Sequence, residues 1–351
     1  MSHAPPLGAL LRQYAAGSAL TCDPVDQGLL NRGYRLCTTR GRYFLKHHFD
    51  PETADPAAIA RQHRATQRLA DLGVPVAPPL TGTDGRTVAV VGGHAYALHP
   101  WIDGRHRHGD QLTTEQCARL GALLGVVHAS LERVMPAQWR AAARPADGES
   151  TKGAGTTESV DPARGADPAD TFALIDRLLA PVRRHRPPDA FDELARHRLL
   201  ERRALLERHA DRRPPQGGSV GWVHGDFHPF NLLYRDGEPA AIVDWDRLGV
   251  HPRAEEAVRA AVIFFVRPVG TLDLTKVRAY ARAYRRAAGA TPGELTAAVH
   301  RVWWERLNDF WILRWHYERG DTRADPQFPA ASALAVWWTR EYESVCEAFV
   351  R

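Results

Sequence analysis

Between residues 33 and 100 the chain alternates turn signals with short apolar runs, and few folds accommodate that pattern. GYRLCTTRGRYFLKHH reads as two strands around a TTRG turn. RTVAVVGGHAYALHP reads as two more around Gly92-Gly93, a pair suited to the positive φ angles of a tight hairpin. One helix lies between them, in ADPAAIARQHRATQRLADLG. Asp55 is a natural N-cap, Pro56 suits the first helical position, and Gly73 suits the C-terminal stop. Its stripe of Ile59, Gln62, Thr66 and Leu69 recurs at three- and four-residue steps, which sets Gln62 on the mainly apolar face.

From Leu112 the period lengthens. LTTEQCARLGALLGVVHASL is a long amphipathic helix with Thr113 or Thr114 as its cap. Arg144 to Asp170 carries one large apolar residue, Val160, and cannot bury enough surface to offset its ordering entropy. It reads as a disordered insertion, with Lys152 inside it. NLLYRDGEPAAIVDW is a hairpin turned at Asp236-Gly237, and the remainder is helical and rich in Trp. The expected layout is an N-terminal lobe over residues 1–100 and a larger, mainly helical lobe over 101–351, with the insertion at 144–170.

In RVWWERLNDFWILRWHYERG, the residues Trp304, Leu307, Trp311 and Trp315 form one face at helical spacing. That face suits either helix–helix packing or a platform for a sugar ring. Glu305 and Asp309 flank it. They read as a solvated pair or as carboxylates that meet a cationic substrate.

Composition narrows the function. The net charge of +5 is spread along the chain among 41 acids, which speaks for a solvated surface rather than a nucleic-acid partner. Four scattered cysteines without a CxxC pair read as reduced thiols of a cytoplasmic protein. The N-terminus lacks a signal-peptide pattern, and no apolar stretch approaches membrane-span length. Of 46 basic residues, three are lysines: Lys46, Lys152 and Lys276. A lysine in an apolar strand of a chain that otherwise writes arginine therefore calls for a reason.

The densest polar stretch is VHGDFHPFNLL, Val223 to Leu233. Three chemistries compete for it. His224 and His228 have the spacing of helical zinc ligands, but Gly225 and Pro229 oppose a helix there. A satisfied polar turn before a hairpin is the plain structural reading. Phosphoryl transfer is the third. Asp226 and Asn231 are five apart, and Asp244 ends an apolar strand thirteen residues later. An Asn amide oxygen and an Asp carboxylate across a hairpin suit magnesium, and a separate Asp remains to orient a hydroxyl.

HGDFHPFNLLY followed by IVDWD resembles the catalytic and metal-binding loops of the aminoglycoside phosphotransferase and choline kinase-like family. The resemblance implies an α+β, two-lobed protein-kinase-like fold, with a small antiparallel sheet lobe carrying one helix and a larger mainly helical lobe. It implies Asp226 as catalytic base, Asn231 and Asp244 as Mg²⁺ ligands, and His224 as the histidine that braces the loop. GLLNRGYRLCTTRGRYFLK is similar to the family's nucleotide-covering hairpin, with Gly28 and Asn31 in the turn and Lys46 at the phosphate-binding position. ALHPWIDGR resembles the hinge, where the backbone of His99 and Trp101 would meet adenine. The expected activity is an ATP- and Mg²⁺-dependent kinase of a small hydroxyl compound, because WDRLGVHP leaves no room for a peptide-binding segment. Aminoglycosides, amino sugars, amino alcohols and hydroxy amino acids are the acceptor classes.

Two positions depart from the family pattern. The small-lobe helix carries Gln62 where a Glu would pair with Lys46, which raises the alternative of an ATP-binding regulatory pseudokinase unless a neighbouring acid substitutes. After the metal loop, Glu255 or Glu256 stands in for the family's Asp. Asp246 is an extra acid, open to a role at the substrate, beside the metal ligands, or as a cap.

Overall fold

The computed structural model describes residues 4–25, 32–49, 54–135, 165–185, 187–215 and 220–351. The chain divides into two compact units. Residues 1–107, 126–143 and 222–250 form the first, and residues 108–125, 144–221 and 251–351 the second.

The first unit is built on a five-stranded antiparallel sheet in the order β1-β2-β3-β5-β4. Its strands are β1 (Ala19–Val25), β2 (Arg32–Thr38), β3 (Gly41–His48), β4 (Ala89–Val91) and β5 (His94–Pro100). Both sequence-predicted hairpins are present. The second turns at Gly92 and Gly93, with φ of 61° and 80°. Two elements lacked a strong local signal: β1, and a seven-residue helix α1 (Leu7–Gln13) that makes this unit richer than one helix. Leu10, Leu11 and Tyr14 from the α1 region pack with Leu36, Leu45, Tyr96 and Leu98.

Strand alternation turns Leu45 into that core and sends its neighbour Lys46 to the opposite face. The helix α2 (Pro56–Asp71) forms as its signals dictate. The Asp55 carboxylate accepts from the Ala57 and Ala58 amides at 3.1 and 3.0 Å, and Gly73 follows the helix at φ 79°. Ile59 of α2 packs with Val88 and Ala95.

The same unit includes the hairpin of β7 (Leu232–Arg235) and β8 (Glu238–Ile242), turned at Asp236 and Gly237 with φ of 53° and 86°. Ile242 N–H donates to the Pro75 carbonyl at 2.8 Å, and Arg105 and Tyr234 exchange backbone hydrogen bonds at 2.8 and 2.9 Å. These bonds fix the hairpin to the loop after α2 and to the segment after β5. A short pairing of β6 (Val220–Val223) with β9 (Gly249–Pro252) flanks it.

The second unit is helical. It takes the first part of α3 (Thr114–Val134), then α4 (Pro168–Arg184), α5 (Ala190–Arg208), α6 (Arg253–Phe265), α7 (Leu274–Ala288) and α8 (Pro292–Asn308). The short α9 (Trp311–Arg314), α10 (Phe328–Arg340) and α11 (Tyr342–Val350) complete it. Trp303, Trp304, Trp338, Tyr280, Tyr284, Phe264 and Phe349 are its largest fully buried side chains. Of the segment expected to be a disordered insertion, residues 144–164 lie outside the described residues. Its last residues belong to α4: Asp167 caps that helix by accepting from the Ala169 amide at 2.9 Å, with Pro168 at the first helical position. Among the described residues no helix is long and apolar enough to cross a membrane.

The face drawn from Trp304 to Trp315 is not one helix. α8 stops at Asn308, because the buried Arg202 guanidinium caps its C-terminal carbonyls. Arg202 donates to the carbonyls of Leu307 (3.0 Å), Arg306 and Asp309 (2.8 Å). Trp304 and Leu307 are core residues, whereas Trp311 and Trp315 begin and follow the separate α9.

Candidate active site

The loop after β6 is held by its first two residues. His224 is fully buried, and its Nε2–H donates to the Val243 carbonyl at 3.0 Å while Nδ1 accepts from the Asp226 amide at 3.2 Å. The ring also lies 4.5 Å from that of Trp245. One imidazole thus ties the loop to the segment that carries Asp244. Gly225 has φ 87°, and a Cβ there would lie 2.1 Å from the Arg247 carbonyl oxygen. Glycine is required by conformation and by space.

Asp226 presents a half-exposed carboxylate. His228 Nε2 lies 3.5 Å from its Oδ2, and Arg247 Nε lies 4.0 Å away. The Phe230 amide donates to His228 Nδ1 at 3.2 Å, which leaves Nε2 facing Asp226. Burial pushes the Asp226 pKa up, but the hydrogen bond from His228 and the charges of His228 and Arg247 outweigh it. The group stays below the usual carboxylate value. His228, without an assigned role in the sequence, is therefore a partner of this carboxylate; its spacing on a short 3₁₀ turn gave no signal of that.

Asn231 is buried, and its Nδ2 donates to the Asp226 carbonyl at 2.8 Å. Its own carbonyl accepts from the Val243 amide at 3.0 Å. The side-chain oxygen Oδ1 is then the atom left for a cation. Asp244 follows with φ 59°, the left-handed region that a non-glycine residue enters at a cost of roughly 1–3 kcal/mol. Such strain persists where surrounding bonds over-determine it, and here the Asn231–Val243 and His224–Val243 bonds do so.

Lys46 Nζ reaches both Asp244 Oδ1 and Asp246 Oδ1 at 2.7 Å. Burial disfavours its charge, but the two carboxylates prevail and raise its pKa. Between the acids the effects diverge. Burial raises both, yet Lys46 brings Asp244 down to about 2, while Asp246 remains above the usual value with Asp244 as a like-charged neighbour. Gln62 does not touch Lys46. Its Nε2 donates to the Asp246 backbone carbonyl at 2.8 Å.

Asp226, Asn231, Asp244, Asp246 and Lys46 thus meet within the first unit. Gly28 and Asn31 lie outside the described residues. His99 sits opposite Phe44 in the β3–β5 ladder, with its Nδ1 2.9 Å from the Ala77 carbonyl. The Trp101 amide donates to the Arg42 carbonyl at 3.0 Å. That bond continues the β3–β5 ladder to the start of the segment expected to meet adenine. Asp246, open to several roles in the sequence, is paired with Lys46.

Glu305 and Asp309 belong to the second unit and are not neighbours on one helix flank, since Asp309 is the residue at which α8 ends. Glu305 pairs with Arg259 at 2.6 Å and Arg306 at 3.2 Å. Asp309 accepts from the Trp311 amide at 3.0 Å and lies 3.6 Å from Arg306.

The chain is similar to known proteins over most of its length. Residues 21–290 match the model of the phosphotransferase enzyme family. A homoserine kinase of Caulobacter sp. (strain K31) is 25% identical over 87% of this chain and 86% of its own length. The homoserine kinase of Bartonella tribocorum is 26% identical, but the chain spans only 38% of that protein. Among solved structures, a spectinomycin phosphotransferase complexed with ADP and spectinomycin superposes with a TM-score of 0.59 at 14% identity, covering 98% of this chain and 96% of that one. A microcompartment-associated aminopropanol kinase gives 0.58 at 17% identity, covering 98% of each chain. The sheet-and-hairpin unit, the helical unit and the family match lead to one conclusion: this chain belongs to the phosphotransferase enzyme family and has its protein-kinase-like fold.

Proposed function

We propose that this protein transfers the γ-phosphate of ATP, with Mg²⁺, to a hydroxyl of a small amine-bearing molecule: an aminoglycoside, amino sugar, amino alcohol or hydroxy amino acid. The observation that carries the reading is the linkage of Asp226, Asn231 and Asp244 through the Val243 backbone, with Lys46 placed against Asp244. The acceptor class draws support from relatives named for homoserine and aminopropanol, both amino-bearing hydroxyl compounds. Only eight residues separate Asp244 from α6, which leaves no segment to bind a peptide acceptor.

Each side chain has a distinct task in this reading. Lys46 carries a compact positive charge to the nucleotide phosphates. Asn231 Oδ1 and the Asp244 carboxylate are the hard oxygen donors that suit Mg²⁺, and bound there the ion would neutralise phosphate charge. Asp226 is held ionised by His228 and Arg247. A carboxylate below its ordinary pKa is a weak base, so its main work is to accept a hydrogen bond from the acceptor hydroxyl and align it for in-line attack. The proton passes late, as suits a loose phosphoryl transition state.

The regulatory reading raised by Gln62 loses its ground, since Lys46 already has two carboxylate partners. The test is ADP release and phosphate-ester formation, followed by mass spectrometry, across homoserine, aminopropanol and spectinomycin with and without Mg²⁺. A phosphorylated product that requires both ATP and Mg²⁺ supports the proposal. Nucleotide binding with no product over a broad panel of amino alcohols, amino sugars and hydroxy amino acids would overturn it.

A further inference from the structure

We infer that Asp246 is the positioning residue that anchors Lys46, and that Gln62 straps Asp246 in place, so that the lysine's anchoring carboxylate comes from the segment after β8 and not from α2. The inference rests on the reading of Lys46 as the phosphate-binding lysine. Three contacts carry it. Lys46 Nζ lies at 2.7 Å from both Asp244 and Asp246. Asp246 is the less exposed of the two, at 16% against 45%, and His48 Nδ1 stands 3.9 Å from its second oxygen. The α2 side chain at the place where an acid would serve is an amide, and it donates to the Asp246 carbonyl at 2.8 Å.

The arrangement resolves a competition that a single carboxylate would leave. Asp244 is a proposed ligand of the divalent ion, and a carboxylate engaged by a cation holds a lysine less tightly. Asp246 lies two residues further on, behind Lys46, and keeps an ammonium partner whichever way Asp244 is used. A glutamate at position 62 would set a carboxylate oxygen against the Asp246 carbonyl with no hydrogen to share between them. Gln62 avoids that cost. It contributes the mechanical link between α2 and the Asp244–Asp246 segment without contributing charge.

Three variants test the idea by kinetics and by lysine NMR. The chain has three lysines, so ε-¹³C labelling yields three resonances, with Lys152 and Lys276 as internal references. Asp246→Asn should raise the KM for ATP about tenfold while kcat at saturating ATP stays within about threefold, in line with the loss of one charge-assisted hydrogen bond. It should also shift the Lys46 resonance of the nucleotide-free protein. The conservative variant Asp246→Glu, which keeps a carboxylate on the same segment, should hold KM within about threefold of wild type and shift the Lys46 resonance less than Asp246→Asn does.

If Asp246→Asn does not fold, Gln62→Met should still move the Lys46 resonance and raise KM about two- to fivefold. Unchanged Lys46 resonance and KM in Asp246→Asn, or an Asp246→Glu variant as impaired as Asp246→Asn, overturns the inference. So does a rise in the Mg²⁺ concentration for half-maximal rate as large as the rise in KM, which would make Asp246 a metal ligand. The NMR arm reads the free protein, so wild type without any phosphotransfer would sink the kinase reading while leaving the anchor testable.

Discussion

Asp226, Asp244 and Asp246 in the first unit and Glu255, Glu305 and Asp309 in the second are equal in number but meet different partners. Exposure does not separate the groups, since Asp226 and Glu305 are both 36% exposed. The cations do. Arg259, Arg301 and Arg306 surround the second trio, with Arg259 joining Glu255 at 2.9 Å and Glu305 at 2.6 Å. In the first trio, one lysine serves two carboxylates, and the cations beside Asp226 are a histidine at 3.5 Å and an arginine at 4.0 Å. A forked guanidinium fixes a carboxylate in place, whereas a compact ammonium leaves oxygens open to another ion or a hydroxyl. Carboxylates shared by one ammonium suit the proposed working site; those ringed by arginines suit a structural role.

The largest expected effect comes from removing a carboxylate of the first kind. Asp226→Asn should lower kcat by about 10²–10⁴, the range for a lost acid–base group, with the nucleotide Kd nearly unchanged. Turnover near wild type, read in the ADP-release assay, would show that Asp226 is not the aligning group.

The scaffold of that trio is next. Gly225→Ala introduces a Cβ 2.1 Å from the Arg247 carbonyl at a φ of 87°. A loss of roughly 2–4 kcal/mol follows from strain and overpacking, visible as a lower denaturation midpoint. An unchanged midpoint would mean that the loop can relax, and that its carboxylate is less rigidly held than argued.

Acid should weaken the first unit. Burial holds His48 neutral, with its pKa lowered to about 3, and His63 likewise to about 2. The unfolded chain takes up these protons near pH 6.5 and the folded chain does not. Stability is therefore intact above that value and falls as pH drops below it. Between pH 7 and 5 the two rings should cost roughly 4 kcal/mol, measured as a shift in the urea midpoint. His63→Asn should reduce that dependence, and a flat profile would contradict the burial of both rings.

The smallest effect belongs to the arginine-ringed trio. Glu305→Gln should alter the KM for the acceptor less than twofold and cost about 1 kcal/mol or less, as partly exposed ion pairs do. A tenfold rise in acceptor KM with an unchanged melting temperature would break the comparison and return Glu305 to the substrate.

Much of this was legible in the chain itself. Asp55, Pro56 and Gly73 delimit α2, Gly92-Gly93 and Asp236-Gly237 turn their hairpins, and the phosphotransferase match follows the motifs that surround them. Each of these signals acts between residues only a few positions apart, through φ preferences and caps that neighbours cannot override cheaply. Sequence also singled out Lys46 as a lysine among arginines. What it could not supply was the partner of that lysine. Asp246 lies two hundred positions away, and Gln62 read as a defect until the fold turned its amide onto a backbone carbonyl.

The end of α8 teaches the same lesson. No local breaker stops that helix at Asn308, but Arg202, a hundred residues earlier, caps its carbonyls and divides a stripe that looked continuous. Turns, caps and motifs were thus determined by sequence, because their energies are local. Which donor meets which acceptor was decided by the tertiary structure, since a buried polar group must find a partner wherever the fold happens to bring one.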